Sequence, residues 1–426
     1  MKNYSKGISL VYITSIIPRA GMIRIMSWIF SFFTCLLIVA CQDGKSEISS
    51  QPPSHEGVEN ISLENPSQST VSISRSLQVE DITVFEYSDE AKLADISQAL
   101  IIDDRYYLRD RKFNQVSVFD LEGKFLFHVG SMGRGPGEFL KAAHLMHNPV
   151  NKTVMIYSYD NSKVSSFSYQ GDWIEDLEGD FTSAKAAFMG ANTYAFFTRY
   201  AITENSQNYN LLLTDDDLNV SNRYLPFDDK TTKTSILNVG LLHQQEEVVL
   251  VGEPFGDTVY SVRKDGIQPK YSLDFGSATI PKEFRGDWNF IRSEEFIKRY
   301  GYLVDEVFEN DEYFFFKYKW ENRDDRVAVW DRAQSVLYTD AQFDEPLLRG
   351  IFFPPIGTDP EGRFIIGFTP DYLHPDRFTD DSFYQKVAIA TRDYFQNHLP
   401  DIYDQLKDLP EGYSPVLLHY KFSITP

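Results

Sequence analysis

A short strand pattern recurs along this chain at a nearly fixed interval, and no other feature restricts the fold as much. Val116 opens VSVFDLEG, Val164 opens VSSFSYQG, Leu211 opens LLLTDDDL and Val259 opens VYSVRKDG, so the first four starts are 48, 47 and 48 residues apart. Val327 opens a fifth copy 68 residues further on, and Val416 a sixth 89 beyond that. Both excesses have a visible source. Residues 281–304 carry a helical pattern that starts near Ser293, with Glu294 and Glu295 behind it. Residues 378–411 carry a helical apolar stripe through Phe383, Val387, Ile389, Ala390 and Tyr394, interrupted at Pro400. Without these insertions six units remain.

The first unit shows what one repeat contains. Ala99–Asp103 and Tyr106–Arg109 flank a tight polar turn, Gln115–Asp120 follows, and Lys124–Val129 completes four short strands. Four strands in such a period make one propeller blade, and a lone blade cannot bury its own faces. The expected fold is all-β: a six-bladed β-propeller over 79–426 with two helical insertions. The last unit lacks a fourth strand after Phe422, while Asp81–Tyr87 is a strand with no unit of its own. Pairing it beside Pro415–Phe422 would close the ring through its N- and C-terminal segments and remove an exposed edge.

Two stretches carry a family resemblance. GKFLFHVG at 123–130 with GRGPGEF at 133–139 resembles NHL-type propeller repeats, in particular the six-bladed propeller lipoproteins of Bacteroidetes. The run Ser414 to Phe422, SPVLLHYKF, is similar to that family's closing strand, with Ser414 where the family has Asn. The resemblance implies a fold and a compartment; it implies no activity.

The N-terminus supports that compartment. Residues 1–41 hold Lys2, Lys6, Arg19 and Arg24 and no acidic residue, and Ser27–Ala40 is uncharged. A run of that length is too short to span a bilayer, which needs about 20 residues, but it suits the core of a secretory signal. It ends Leu-Ile-Val-Ala-Cys41, which resembles a lipobox, so 1–41 reads as a lipoprotein signal peptide with Cys41 as the lipidation site. Met22 or Met26 would be a more ordinary start. Residues 42–78 are rich in Ser, Pro, Glu, Asn and Gln and read as a disordered tether. Gln42 is not the aspartate that marks inner-membrane retention in such lipoproteins, so the outer membrane is the expected address.

Composition narrows the chemistry. None of the 62 acidic residues and four of the 41 basic ones lie in 1–41, so the remainder carries a balance of −25. That argues against nucleic acid, whose binding rests on neutralised phosphates. The two cysteines, Cys35 and Cys41, both lie in the signal segment, which excludes thiolate catalysis and cysteine-held zinc in the body.

Candidate sites are sparse. The run Gly133 to Glu138 lacks the Gly-Lys-Ser/Thr ending of a phosphate loop and reads as an inter-blade corner pinned by Arg134 or Glu138. The acidic runs Asp215–Asp217, Asp228–Asp229 and Asp380–Asp381 match no calcium loop, and no metal or other cofactor is expected. Asp103, His144 and Asp359 are the polar candidates for the central channel. Trp288, Phe290, Tyr300, Tyr372, Tyr384 and Tyr394 could stack on sugars, although covering the blades is the simpler use. The expectation is a monomeric, membrane-anchored binding or scaffold module for a glycan, peptide or membrane-protein partner. The alternative is a metal-dependent lactonase, lyase or glycan-cleaving enzyme using the channel.

Overall fold

The structure is a computed structural model that describes residues 57–64, 77–227, 242–245, 248–252, 255–285, 287–320, 324–339 and 354–422. The signal segment with Cys41, and most of the expected tether, lie outside the described residues.

Strands β1 (Glu59–Ser62) and β2 (Leu77–Thr83) precede the first blade. That blade is β3 (Ile96–Ile102), β4 (Arg105–Asp110), β5 (Gln115–Asp120) and β6 (Phe125–His128). A corner of β7 (Ser131–Met132) and β8 (Glu138–Phe139) leads to blade two, which is β9 (Ala142–Asn148), β10 (Thr153–Ser158), β11 (Lys163–Ser168) and β12 (Trp173–Glu178). Blade three is β13 (Lys185–Phe188), β14 (Tyr194–Phe197), β15 (Tyr209–Thr214) and β16 (Val220–Pro226). Blade four is β17 (Leu242–Gln245), β18 (Val248–Gly252), β19 (Thr258–Arg263) and β20 (Gly266–Asp274). Blade five is β21 (Tyr302–Glu309), β22 (Tyr313–Trp320), β23 (Asp324–Asp331) and β24 (Val336–Thr339). Blade six takes β25 (Gly357–Thr358), β26 (Phe364–Phe368) and β27 (Val416–Phe422), with β2 as its fourth strand. The six sheets stand in a ring as a six-bladed propeller. In every blade the repeat start read from the sequence falls on the third strand.

Each blade is apolar on both faces because each is packed between two others. In β10, Val154 and Ile156 join the cluster shared with blade one, while Met155 and Tyr157 join the one shared with blade three. All four are essentially inaccessible, and each such side chain contributes on the order of 1.5–3 kcal/mol by leaving water.

The ring closes where expected. β2 pairs antiparallel with β27, Ile82 opposite Leu418 and Thr83 opposite Leu417. A second set of contacts reinforces the seam. Ser414 Oγ accepts the Leu93 amide at 3.0 Å, and the Tyr413 hydroxyl donates to the Phe85 carbonyl at 2.7 Å. Gly123 of the repeat motif belongs to the same seam: at φ +83° it brings its turn against the β2 exit, and a Cβ there would lie 2.3 Å from the Val84 carbonyl oxygen.

Two features refine the expectation. Within the segment read as tether, β1 lies parallel to β20 as a fifth strand of blade four. Ile61 and Leu63, two apart, are buried there, so an apolar alternation too short to register in a polar background found a sheet edge. The helical insertions also resolve. Helices α1 (Trp288–Ile291) and α2 (Glu294–Arg299) lie between blades four and five, with Ser293 capping α2 by accepting the Phe296 amide. Helices α3 (Phe383–His398) and α4 (Pro400–Leu406) interrupt blade six, and Phe395 of α3 stacks on Phe368 with centroids 4.8 Å apart. Among the described residues no helix is long and apolar enough to cross a membrane.

Leu417 sits at 0% exposure where blade six meets blade one. Leu417→Ala is expected to lower the unfolding free energy by about 2–5 kcal/mol, against less than about 0.5 kcal/mol for Ile389→Ala on the exposed side of α3. Urea midpoints measure both. Equal losses would mean that the seam contributes no more than an outer helix surface.

Candidate functional site

Innermost strands from blades one, two, three and six, with Phe308 of blade five, enclose a central cavity of about 640 Å³. Apolar side chains are the more numerous on its walls, with Ala99, Ile101, Leu145, Phe188, Phe308 and Ile356 among them, and polar groups share the exposed surface. The β9–β10 turn (Pro149, Val150) and Ala191 also line it. Val150 is 86% exposed, an unusual setting for a branched aliphatic residue.

Two polar side chains on this cavity hold blades one and two together. Gln98 of β3 donates Nε2–H to the Leu145 carbonyl at 2.8 Å and accepts the Leu145 amide at 2.8 Å, so its amide copies a strand pair between blades one and two. Arg109 donates Nε–H to the Ala142 carbonyl at 2.7 Å across the same junction. His144 and His147 both border the cavity from β9. The His147 ring nitrogen lies 2.6 Å from the Tyr169 hydroxyl, and burial pushes its imidazole below the ordinary value, which favours the neutral form.

Asp359 is the most elaborated group. It borders the cavity from the turn after β25, and its side chain is 1% exposed. One oxygen accepts the Glu361 and Arg363 amides at 3.1 and 2.9 Å; the other takes Arg363 Nε–H at 2.6 Å and His419 Nδ1 at 2.9 Å. With the His419 proton directed at the carboxylate, Nε2 is left to accept from the Tyr106 hydroxyl at 3.2 Å. Tyr106 in turn stands 2.9 Å from Thr83 Oγ1. Thr83, Tyr106, His419 and Asp359 therefore form one buried chain of hydrogen bonds from β2 through blade one into the rest of blade six, crossing the closure seam. Burial alone would raise the Asp359 carboxyl; the His419 and Arg363 hydrogen bonds together outweigh it and hold the group below the usual carboxylate range. Burial keeps the Tyr106 phenol protonated by raising it.

Of the three channel candidates, His144 and Asp359 reach the cavity. Asp103 does not: it lies exposed in the β3–β4 turn at φ +53°, because the strand ends one residue before it. His419, Arg363, Tyr106 and Thr83 were not singled out beforehand. Their signal, a histidine in the third strand of the last repeat, becomes meaningful only once that strand is known to meet blade one.

The remaining candidates are structural. In the 133–138 corner, Glu138 Oε2 accepts the Gly135 amide at 2.7 Å, while Lys163 reaches both the Gly135 carbonyl and Asp176. Gly137 sits at φ +70° against Trp173, 2.8 Å from where a Cβ would stand. Arg134 is exposed. Asp215 Oδ1 accepts the Asp217 and Asn219 amides in an exposed turn, and Asp380 accepts from Gln385 at the start of α3. Asp228 and Asp229 lie outside the described residues. Among the described residues no group of three or more His, Cys, Asp or Glu is placed to hold a metal. Tyr300 and Tyr394 are buried and Phe290, half-buried, packs within the 281–304 insertion, whereas Tyr384 is 58% exposed. The aromatics thus mostly cover the blades.

The depressed Asp359 carboxyl has a pH signature. A folded-state value below the unfolded one stabilises the protein fully above the ordinary aspartate range, near pH 3.9, and that stability is lost as pH falls through the lower folded value. Asp359→Asn should therefore lower stability at pH 6, with the deficit shrinking below about pH 4. Denaturant titrations at a series of pH values measure this. A deficit equally large at pH 2.5 would mean that the ionised carboxylate is not what holds the seam.

No curated protein matches this chain. Among solved structures, a protein described as exported from Bacteroides fragilis aligns with a TM-score of 0.68 at 14% identity, over 86% of this chain and 100% of its own. A member of the DUF4221 family from Bacteroides vulgatus gives a TM-score of 0.48 at 11% identity, over 83% of this chain and 100% of its own. BamB from Moraxella catarrhalis gives 0.32 at 11%, over 62% and 64%. The first likeness is one of fold; the other two are weaker still. At the level of sequence, the profile of a domain of unknown function, DUF4934, matches residues 59–388, starting at β1, and the chain belongs to that family.

Proposed function

We propose that this protein is a lipid-anchored binding module of the cell envelope, of the NHL-like propeller type, that admits part of a peptide, glycan or membrane-protein partner through the mouth of its central cavity. One observation carries the reading: a cavity of about 640 Å³ lined mostly by apolar side chains, in which Gln98 and Arg109 already join blades one and two and Asp359 is held within blade six. Such a space offers contact area to a ligand. Anchoring rests on the signal pattern that ends at Cys41, and export agrees with the description of the Bacteroides fragilis protein that shares the fold. Two or more acyl chains give stable membrane attachment. The outer membrane is the favoured address because Gln42 follows the cysteine.

A second reading, a metal-dependent lactonase, lyase or glycan-cleaving enzyme, draws only on His144, His147 and Asp359 bordering one cavity, since among the described residues no three such groups are placed to share an ion. Turnover of lactone or glycan substrates with added divalent metal, abolished by His144→Ala, would favour it over the binding role.

Two outcomes are expected. Cys41→Ser should move the protein from the membrane to the soluble fraction, with mass spectrometry showing the acyl mass lost; continued membrane retention with an uncut N-terminus would defeat the lipoprotein reading. A photo-crosslinking residue in place of Val150 should form an adduct in intact cells that disappears when Ala191→Arg is added, with the thermal midpoint unchanged. An adduct that survives Ala191→Arg would place the contact away from the cavity mouth.

A further inference from the structure

A second hollow, of about 350 Å³, lies between blades two and three, and its chemistry differs from that of the central cavity. The β9–β10 turn separates them: Pro149 and Val150 border the cavity, Asn148 and Asn151 the hollow. The hollow is built on one face of blade two. Met155 pairs with Ser166 and Ser166 with Glu175 across three strands, so their side chains share a face. Thr153 lies two residues from Met155 on that face. Blade three answers with Tyr194 and with Asn192, Asp216 and Asp217 from two turns.

Ser166 is 5% exposed and Thr153 8% exposed, and both line the hollow. Among the described residues neither hydroxyl has a hydrogen-bond partner. Both hydroxyls open onto the hollow, where a bound group can supply the partner that the protein does not. Tyr194, 6% exposed, donates only to the Met155 sulfur at 3.5 Å, which leaves its oxygen free to accept. Around them stand the Glu175, Asp216 and Asp217 carboxylates and no lysine or arginine. Three carboxylates and three hydroxyl oxygens line the hollow at different points, so it is rich in acceptors and carries negative charge without a built-in cation. Burial, then the charges of Glu175 and Asp216, push the Tyr194 hydroxyl up to about 12, which agrees with a negative potential at the floor.

We infer that this hollow is a binding site for an ammonium or guanidinium group, carried either by a small polyamine or by a basic side chain of a peptide. Such a group brings three or five N–H donors and a positive charge to a lining that has no cation and where, of the three carboxylates, Asp216 alone receives an amide donor from within it, that of Asn192. The volume accommodates an extended alkylamine or one long basic side chain. A divalent metal suits the site less well, because no three carboxylates or histidines are placed to share one ion among the described residues.

Calorimetric titration of the full-length protein in detergent tests this with spermidine, with tetralysine, and with fully acetylated tetralysine. Spermidine or tetralysine should bind and the acetylated peptide should not; binding of spermidine identifies a free amine, and binding of tetralysine alone a peptide side chain. Glu175→Gln combined with Asp216→Asn should weaken binding about tenfold or more, and Ser166→Ala should weaken it by a smaller factor. Glu294→Gln with Glu295→Gln on α2 removes the same charge elsewhere and should leave affinity unchanged. Equal weakening by the α2 pair, binding of the acetylated peptide, or no binding of either amine would each overturn the assignment.

Discussion

Everything in this structure rests on one pairing, the N-terminal β2 lying beside the C-terminal β27. Each blade presents two apolar faces, and only a closed ring gives every face a neighbour. The chain supplies five complete blades in order and then leaves the sixth a strand short. β2 fills that gap, so sequence ends more than three hundred residues apart share one sheet. The seam is also where polar detail accumulates. Ser414, Tyr413 and the Thr83–Tyr106–His419–Asp359 chain all cross it. A buried polar network of this kind is costly unless every member has a partner, and here each link supplies the next.

The same logic governs the junction of blades one and two. Gln98 and Asn114 each use both ends of a side-chain amide to hold backbone of the next blade, Gln98 on Leu145 and Asn114 on Leu140 and Ala142. Apolar faces alone are non-directional and would tolerate sliding. Amides that copy a strand pair fix one blade's height against its neighbour. As a consequence, several polar residues that look available for chemistry at the centre of the ring are already engaged in its assembly.

β1 adds a contact of another kind. It joins the outer edge of blade four, where Glu59 accepts from Trp330 Nε1 at 2.8 Å in blade five. Behind it Glu309, 3% exposed, receives the Tyr271 hydroxyl at 3.0 Å and the Lys270 ammonium at 2.5 Å. An edge that would otherwise offer unpaired backbone is covered by the chain's own leading segment.

The repeat interval, the alternation within strands and the helical stripes were legible in the linear order, because each arises from local geometry: the two-residue period of a strand, the 3.6-residue period of a helix and the fixed length of a blade. From these followed six blades, both insertions, the Ser293 cap and the closure of the ring. Short β1 was missed, since Ile61 and Leu63 alone do not stand out in a polar tract. Asp103 was misplaced by a single turn. The partners of Asp359, the engagement of Gln98 and Arg109, and the polar hollow between blades two and three were decided only by tertiary structure. Each joins residues distant in sequence across a blade interface, and no local periodicity records which side chains meet once six sheets are turned to face one another.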